Sequence, residues 1–406
     1  MSAAFDLLCF SHLRWDFVFQ RPQHLLTRCA REHNVLFIEE PVLGAANAQL
    51  ELRDRDGVRI VVPHLPDSCT EEQAASLQRH LLDRLLARHS RLPQVHWYYT
   101  PMALPFTRHL QPVVTVYDCM DELANFKGAS PLLGQLEREL LGRADLVFTG
   151  GYSLYEHKRP HHPRVHPFPS SVDVPHFASA RRQVEEPEDQ AAIGHPRLGF
   201  FGVIDERMDL DLLAAIAAAR PDWQLIMLGP VVKIDPASLP RPANIHWLGG
   251  KSYAELPRYI AGWDVALLPF ACNDATRFIS PTKTPEYLAA GKPVVSTPIR
   301  DVVRPYGEMG LVAIASTPTE FIAAIESALR DEGVARQQQA DGWLSHLSWD
   351  RTWADMHKLI AEAAAGKSAA VPPSVGSSAN SFRAVRPRAA ATARESGRGV
   401  GSPAQL

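Results

Sequence analysis

Short apolar runs alternate with helical periodicity along residues 197–297, and no other feature constrains the fold as strongly. RLGFFGVI (197–204), WQLIMLG (223–229), NIHWLG (244–249), DVALLPF (264–270) and KPVVST (292–297) read as strands. Between them, MDLDLLAAIAAA (208–219) carries apolar residues at helical spacing. SYAELPRYIAG opens with a capping pair, Ser252 and Glu255, and Thr317 with Glu320 caps a helix at FIAAIESALR. PEYLAAG reads as a short helix. The strand runs show no in–out alternation, so both faces of each strand are buried. Such strands form a parallel sheet covered by helices on both sides.

The first half repeats the pattern. FDLLCF, NVLFIEEP, VHWYY, VVTVYD and DLVFTGG read as strands, and RPQHLLTRCARE, EEQAASLQRHLLDRLLARH and LLGQLERELLGRA as helices. A chain of 406 residues exceeds one core. A charged, proline-containing stretch at 179–195 divides it. The expected domains are therefore 1–178 and 196–347, a final amphipathic helix at 348–365 and a disordered basic tail at 366–406. That tail holds one aromatic residue, and six basic residues against one acid. It has too little apolar surface to offset the entropy of ordering. Two doubly wound domains place a ligand crevice at the carboxyl ends of their strands.

Composition excludes several functions. Lysines and arginines number 42 against 45 acids, which rules out a generally basic nucleic-acid binder. No apolar run reaches the roughly 18 residues of a spanning helix. The amino terminus lacks the pattern of a secretory signal. Five scattered cysteines, an odd number, argue against a disulfide framework or a thiolate zinc site. The expected location is the cytoplasm, with peripheral contact at the inner face of the plasma membrane open to the basic tail.

The densest chemistry lies in RFISPTKTPEYLAAGKPVVST (277–297). A helix begins at Ser280-Pro281 or at Thr284-Pro285, since proline favours the first helical position. Either start sets Lys283 and the hydroxyls of Ser280 and Thr282 at the crevice mouth, where free N–H groups suit a diphosphate. Glu286, within a turn, is placed to accept bonds from two ribose hydroxyls. The alternative is that Glu286 only complements the helix dipole and Lys283 is a solvated charge.

This segment resembles the donor-binding stretch of the family-4 retaining glycosyltransferases of GT-B fold. Residues 144–158, FPSSVDVPHF (168–177) and LGGKSYAELPRYIAGWDVALLPF (248–270) resemble further stretches of that family in the same order. The fold expected is α/β, a GT-B pair of Rossmann-like domains facing a cleft. Glu286 matches the family's second glutamate, the ribose ligand. The first glutamate falls on Phe278, and Asp274 or Asn273 is the stand-in. The family's basic loop is here GVIDERMD (202–209). It supplies Gly202 and Arg207 to the donor site, with Arg207 and Lys283 as the diphosphate pair and Arg277 in reserve. Asp205, Glu206 and Asp209 are competing partners for Arg207.

The first domain is expected to hold the acceptor. FSHLRWDFVFQRPQHLL (10–26) follows a strand and is dense in polar and aromatic groups. His12, Arg14, Asp16, Arg21 and His24 are its candidate acceptor- or sugar-binding residues. In VTVYDCMDEL (114–123), Asp118 is the catalytic candidate, positioning the acceptor hydroxyl, with Asp121 and Glu122 second. Neither Asp54/Asp56 nor Asp209/Asp211 reads as a metal-binding Asp-x-Asp, and no metal or cofactor is expected.

The resemblance implies a retaining, metal-independent enzyme. It would move a sugar from a nucleoside diphosphate donor, expected to be UDP-linked, to a hydroxyl of a glycan or lipid-linked saccharide. The implied setting is bacterial surface polysaccharide synthesis, as in teichuronic acid and exopolysaccharide enzymes. A nucleotide-sugar 2-epimerase of the same fold and a non-catalytic sugar-nucleotide or glycan-binding protein are the alternatives.

Overall fold

A computed structural model describes residues 4–182 and 185–370. Of the tail expected at 366–406, residues 366–370 instead continue the final helix, and the remainder lies outside the described residues.

The first sheet contains β1 (Asp6–Phe10), β2 (Asn34–Ile38), β3 (Val42–Leu43), β4 (Gln49–Arg55), β5 (Val58–Leu65), β6 (Gln94–Tyr98), β7 (Val114–Cys119), β8 (Leu146–Thr149) and β9 (Val165–Pro167). Its order is β3-β5-β2-β1-β6-β7-β8-β9, with β4 paired to β5. Every pairing is parallel except β4 with β5. In register, Phe10 faces Ile38 on one side and Tyr98 on the other, so these strands end level at one edge.

The second sheet is β12-β11-β10-β13-β14-β15, all parallel. Its strands are β10 (Arg197–Phe201), β11 (Gln224–Leu228), β12 (Ile245–Gly249), β13 (Val265–Leu268), β14 (Val294–Ser296) and β15 (Ala313–Ile314). β10, β13 and β14 are buried along their whole length, as non-alternating apolar runs require. Gly199 is glycine for packing: a Cβ there would sit 1.9 Å from the Trp263 ring.

The structure departs from the sequence reading in three places. Residues 49–65 form an antiparallel hairpin that the expected pattern lacked. Asp56 and Gly57 turn it with φ of 52° and 81°, the pair of positive angles that an Asp-Gly turn supplies. The boundary between domains falls before 178. Val172 and Phe177 already belong to the second core, with Phe200 and Leu198. The charged 179–195 stretch is not a loose linker, because Gln190 is buried and takes Trp263 Nε1–H at 3.0 Å. The final helix runs Trp349–Ala370. Its Trp349, Trp353, Met356 and Ile360 sit in the first domain's core with Trp97 and Phe148. The chain therefore crosses back, because the helix's apolar stripe finds its partner only there.

Candidate functional site

The carboxyl ends of both sheets face each other across a cleft. On the second-domain side, β10 ends at Phe201 and the chain turns through Gly202, which has φ of 138°. A Cβ at Gly202 would lie 2.1 Å from Lys283 Cε. Gly229 after β11 has φ of 148°, and a Cβ there would lie 1.7 Å from the Gly202 carbonyl oxygen. Two glycines thus let two strand ends and a lysine converge where side chains would collide.

The helix after β13 spans Lys283–Ala289 and starts between the two prolines considered from the sequence. Thr282 precedes it without a side-chain cap. At seven residues it is short, so charged side chains carry more of the site's electrostatics than its dipole does. Lys283 Nζ lies 5.8 and 5.9 Å from the Phe200 and Phe201 ring centres. Burial lowers its pKa to about 8, although Glu286 opposes the shift. Burial raises Glu286 to about 8, with Lys283 opposing. Glu286 Oε2 has no hydrogen-bond partner. An unpaired buried carboxylate oxygen is costly in a protein interior and calls for a partner that arrives later.

Lys283, Glu286 and Thr282 line a cavity of about 400 Å³, closed on the far side by Trp15, Asp16 and Phe17. Gly202, Arg207 and Tyr253 line it too. Arg207 is already spoken for: its guanidinium grips both oxygens of Asp205, at 2.6 to 3.1 Å. Ser280 lies deeper, in a recess of about 100 Å³ shared with Asp121 and Lys283. An adjoining cavity of about 520 Å³ is lined by His12, Arg14, Asp121, Phe126, Arg207 and Lys233 among others.

The structure overturns the role expected for Asp118. Its side chain is fully buried, and both oxygens accept from Arg21, at 3.0 and 2.9 Å. Arg21 also donates to the Phe168 carbonyl at 2.7 Å. The pair locks β7 to the helix Arg21–Cys29, and its complete burial keeps the Asp118 carboxylate out of an acceptor's reach. Asp121, three residues on, faces the cleft instead, and burial pushes its carboxyl up. His24 does not face the cleft either. It is buried, stacked on Trp349 at 4.5 Å and 8°, and burial drives its pKa to about 3.

The remaining first-domain candidates line cavities but differ in freedom. Arg14 is tied to Glu39 at 3.0 Å and to the Glu40 and Pro41 carbonyls. Asp16 is paired with Arg53. His12 keeps Nδ1 unpartnered, and burial, then Lys233, pushes its pKa to about 4. Phe278, where the family's first glutamate would be, turns to the first domain and stacks on His157 at 4.7 Å, with Arg277 over its ring. The stand-ins also leave the cleft. Asn273 donates to the Glu206 carbonyl, and the Asp274 carbonyl accepts from Asn125, making a seam between domains.

Sequence reasoning missed Lys233, Phe126 and Tyr253. Lys233 and Phe126 meet across the cleft, with Nζ 4.8 Å from the ring centre. Lys233 and Phe126 stand in no pattern, and Tyr253 lies in the stretch 248–270 with nothing there to mark it out; only the fold brings the three together. In the Asp-x-Asp pairs, Asp54 binds Arg59, Asp56 turns the hairpin at the rim of the larger donor-side cavity, and Asp209 caps the helix Leu210–Ala219. Among the described residues one group has ligand spacing, Glu32, His33 and His357, at the opposite edge of the first sheet. There His33 Nδ1 accepts from the Phe5 amide, and its Nε2 lies 3.1 Å from His357 Nε2, an arrangement that a shared proton satisfies.

Residues 195–331 match the family described as Glycosyl transferases group 1. The matched stretch falls on the second domain. The chain is 28% identical over 237 residues to TuaH of Bacillus subtilis strain 168, which carries the name teichuronic acid biosynthesis glycosyltransferase. That match covers 54% of this chain, and the chain spans 59% of TuaH. Sucrose-phosphate synthase from Thermosynechococcus elongatus superposes with a TM-score of 0.67 at 13% identity, over 89% of this chain and all of that one. The E. coli trehalose-6-phosphate protein bound with UDP-2-fluoro glucose gives 0.65 at 13% identity, over 88% and 99%. Anabaena HepE, in complex with UDP and glucose, gives 0.61 at 13% identity, over 88% and 99%. The fold is GT-B. No helix among the described residues is long and apolar enough to cross a membrane.

Proposed function

We propose that the protein is a glycosyltransferase. It moves a sugar from a nucleoside diphosphate donor, with UDP as the favoured nucleotide, to a hydroxyl of a glycan or lipid-linked saccharide in surface polysaccharide synthesis. The observation that carries this reading is the Lys283–Glu286 pair. The two side chains stand one helical turn apart, beside Gly202 and inside a cavity at the strand ends. Glu286 Oε2 is left over for ribose hydroxyls. Lys283 meets the diphosphate, with Arg207 behind it.

When the bond from the anomeric carbon to the diphosphate oxygen breaks, negative charge grows on the leaving group. A lysine held in a desolvated site stabilises that charge more in the transition state than in the ground state. The acceptor hydroxyl forms the new bond on the face that the diphosphate leaves, which retains configuration. Its proton passes to the departing phosphate oxygen. Asp121 replaces Asp118 as the carboxyl that orients the acceptor. No step in this scheme requires a metal, and none requires a cofactor beyond the sugar nucleotide.

Product analysis tests the proposal. The protein is incubated with a panel of nucleoside diphosphate sugars, with and without saccharide acceptors, and the products are read by NMR. A new glycoside with the donor's anomeric configuration supports it. A new sugar nucleotide without acceptor identifies an epimerase, and an inverted anomer refutes retention. Consumption of no donor in the panel refutes the transferase reading.

A further inference from the structure

One stretch of the donor cavity's wall is aromatic and has no part in the reading above. Tyr253, four residues after β12, lines the cavity together with Glu286, Pro230 and Leu256. The second domain holds its ring from behind. His176 stacks on one face at 4.3 Å and 11°, and His176 Nε2–H donates to the Tyr253 carbonyl at 3.0 Å. Phe177 meets the ring edge-on at 5.6 Å. Glu286 stands near enough to act on the hydroxyl: burial, then the Glu286 charge, pushes the Tyr253 pKa up. The tyrosine ring and the ribose carboxylate are therefore neighbours on one wall.

The other face of Tyr253 is covered from across the cleft. Phe19, in the first-domain loop, stacks on it at 4.5 Å and 29° and lines the same cavity. Phe19 packs in none of the hydrophobic cores and stays 41% exposed, with His24 edge-on at 4.7 Å. The charged residues that line the cavity are otherwise engaged. Lys251 is tied to Asp189, Arg207 to Asp205 and Asp16 to Arg53. Arg55 and Asp56 come from the first-domain hairpin, at the rim. With Lys283 on the diphosphate and Glu286 on the ribose, the aromatic face beside Glu286 is what the second-domain wall offers to the rest of a nucleotide. That remainder is a flat base, the partner a flat aromatic face suits.

We propose that the Tyr253 face binds the nucleobase of the donor and that Phe19 competes with the base for it. The base replaces the phenyl ring on Tyr253 when a nucleotide enters, while His176 keeps the tyrosine in place. Stacking accepts any base, because every base has a π-face, so Tyr253 contributes affinity and leaves base choice to other groups. This rests on the donor-site reading of Lys283 and Glu286.

The test is calorimetry on the full chain with two ligands. One is whichever of UDP, GDP and ADP binds tightest. The other is methyl riboside 5′-diphosphate, which keeps the ribose and the diphosphate and lacks the base. The wild type should bind the nucleotide tighter than the riboside. Phe19→Ala should tighten the nucleotide by about two- to tenfold, the worth of one aromatic stack, and leave the riboside unchanged. Tyr253→Leu should bring the nucleotide down to the riboside's affinity, whereas Tyr253→Phe, which keeps the ring, should retain the preference. Nucleotide binding that is unchanged or weaker in Phe19→Ala overturns the proposal. So does a preference that survives Tyr253→Leu or is lost in Tyr253→Phe. Equal affinities of the two ligands in both wild type and Phe19→Ala strike this inference alone. If neither ligand binds the wild type, the donor-site reading falls and this inference falls with it.

Discussion

The two walls of the cleft use their polar residues in opposite ways. On the second-domain wall, the Lys283 and Glu286 side chains make no hydrogen bond or ion pair with any of the described residues, and Glu286 Oε2 is orphaned among them. On the first-domain wall, His12 Nδ1 apart, the loop of residues 11–20 and the helix behind it spend their polar groups on the fold. Arg14 holds Glu39, Gln23 holds the Trp15 and Val18 carbonyls, and Arg21 holds Asp118. The loop has no glycine to shape it, so side chains fix its path instead. Density of polar residues is therefore a poor guide to a binding surface; unsatisfied polar residues are a better one.

That contrast can be broken first at Arg21. Arg21→Met alone leaves the Asp118 carboxylate buried and unpaired, and should cost about 3 to 5 kcal/mol of stability in urea unfolding. The double change with Asp118→Leu should recover much of it. A single variant as stable as wild type would show that the pair does not anchor the wall. Trp349→Ala comes next. It empties a site in the first-domain core and should cost about 3 kcal/mol. Hydrogen exchange should report the loss in β1, β6 and β8 rather than in β10 to β14.

On the opposite wall, Gly202→Ala forces a Cβ into Lys283 at a φ that L residues avoid. It should cost about 1 to 3 kcal/mol and weaken nucleotide binding far more than Arg14→Ala does, as read by calorimetry. The pH dependence is subtler. Glu286 has a folded pKa raised to about 8 against an ordinary 4.5. Its contribution to stability is full below pH 4.5 and fades as pH rises toward 8, with a slope of at most about 1.4 kcal/mol per pH unit. Glu286→Gln should flatten the melting temperature across that window. An unchanged profile would contradict the burial assigned to this carboxyl. The smallest effect is expected at Asp54→Ala, whose exposed pairing with Arg59 lies outside the site, and nucleotide binding should not change.

The parallel sheets were readable because their strands are buried on both faces and carry unbroken apolar runs. The hairpin of residues 49–65 was not, because its first strand QLELRDR is charged and buries no residue fully, so it carries no apolar run. Glu286 and Lys283 were legible from one short segment, since a helix fixes their spacing. Asp118 misled because a carboxylate at a strand end looks the same whether it meets solvent or an arginine 97 positions away. Phe278 was seen as a departure, and the structure gives the reason: the ring joins the domain seam. Lys233 and Phe126 could be found only once both domains were in place.

The central claim is that Lys283 and Glu286 bind a nucleoside diphosphate. Thermal stability of wild type, Lys283→Ala and Glu286→Ala should be measured across a panel of nucleoside diphosphates. At about 100 times its dissociation constant, the cognate nucleotide should add roughly 2.7 kcal/mol to wild type and little to either variant. A shift that survives both substitutions, or no shift with any nucleotide, would contradict the account.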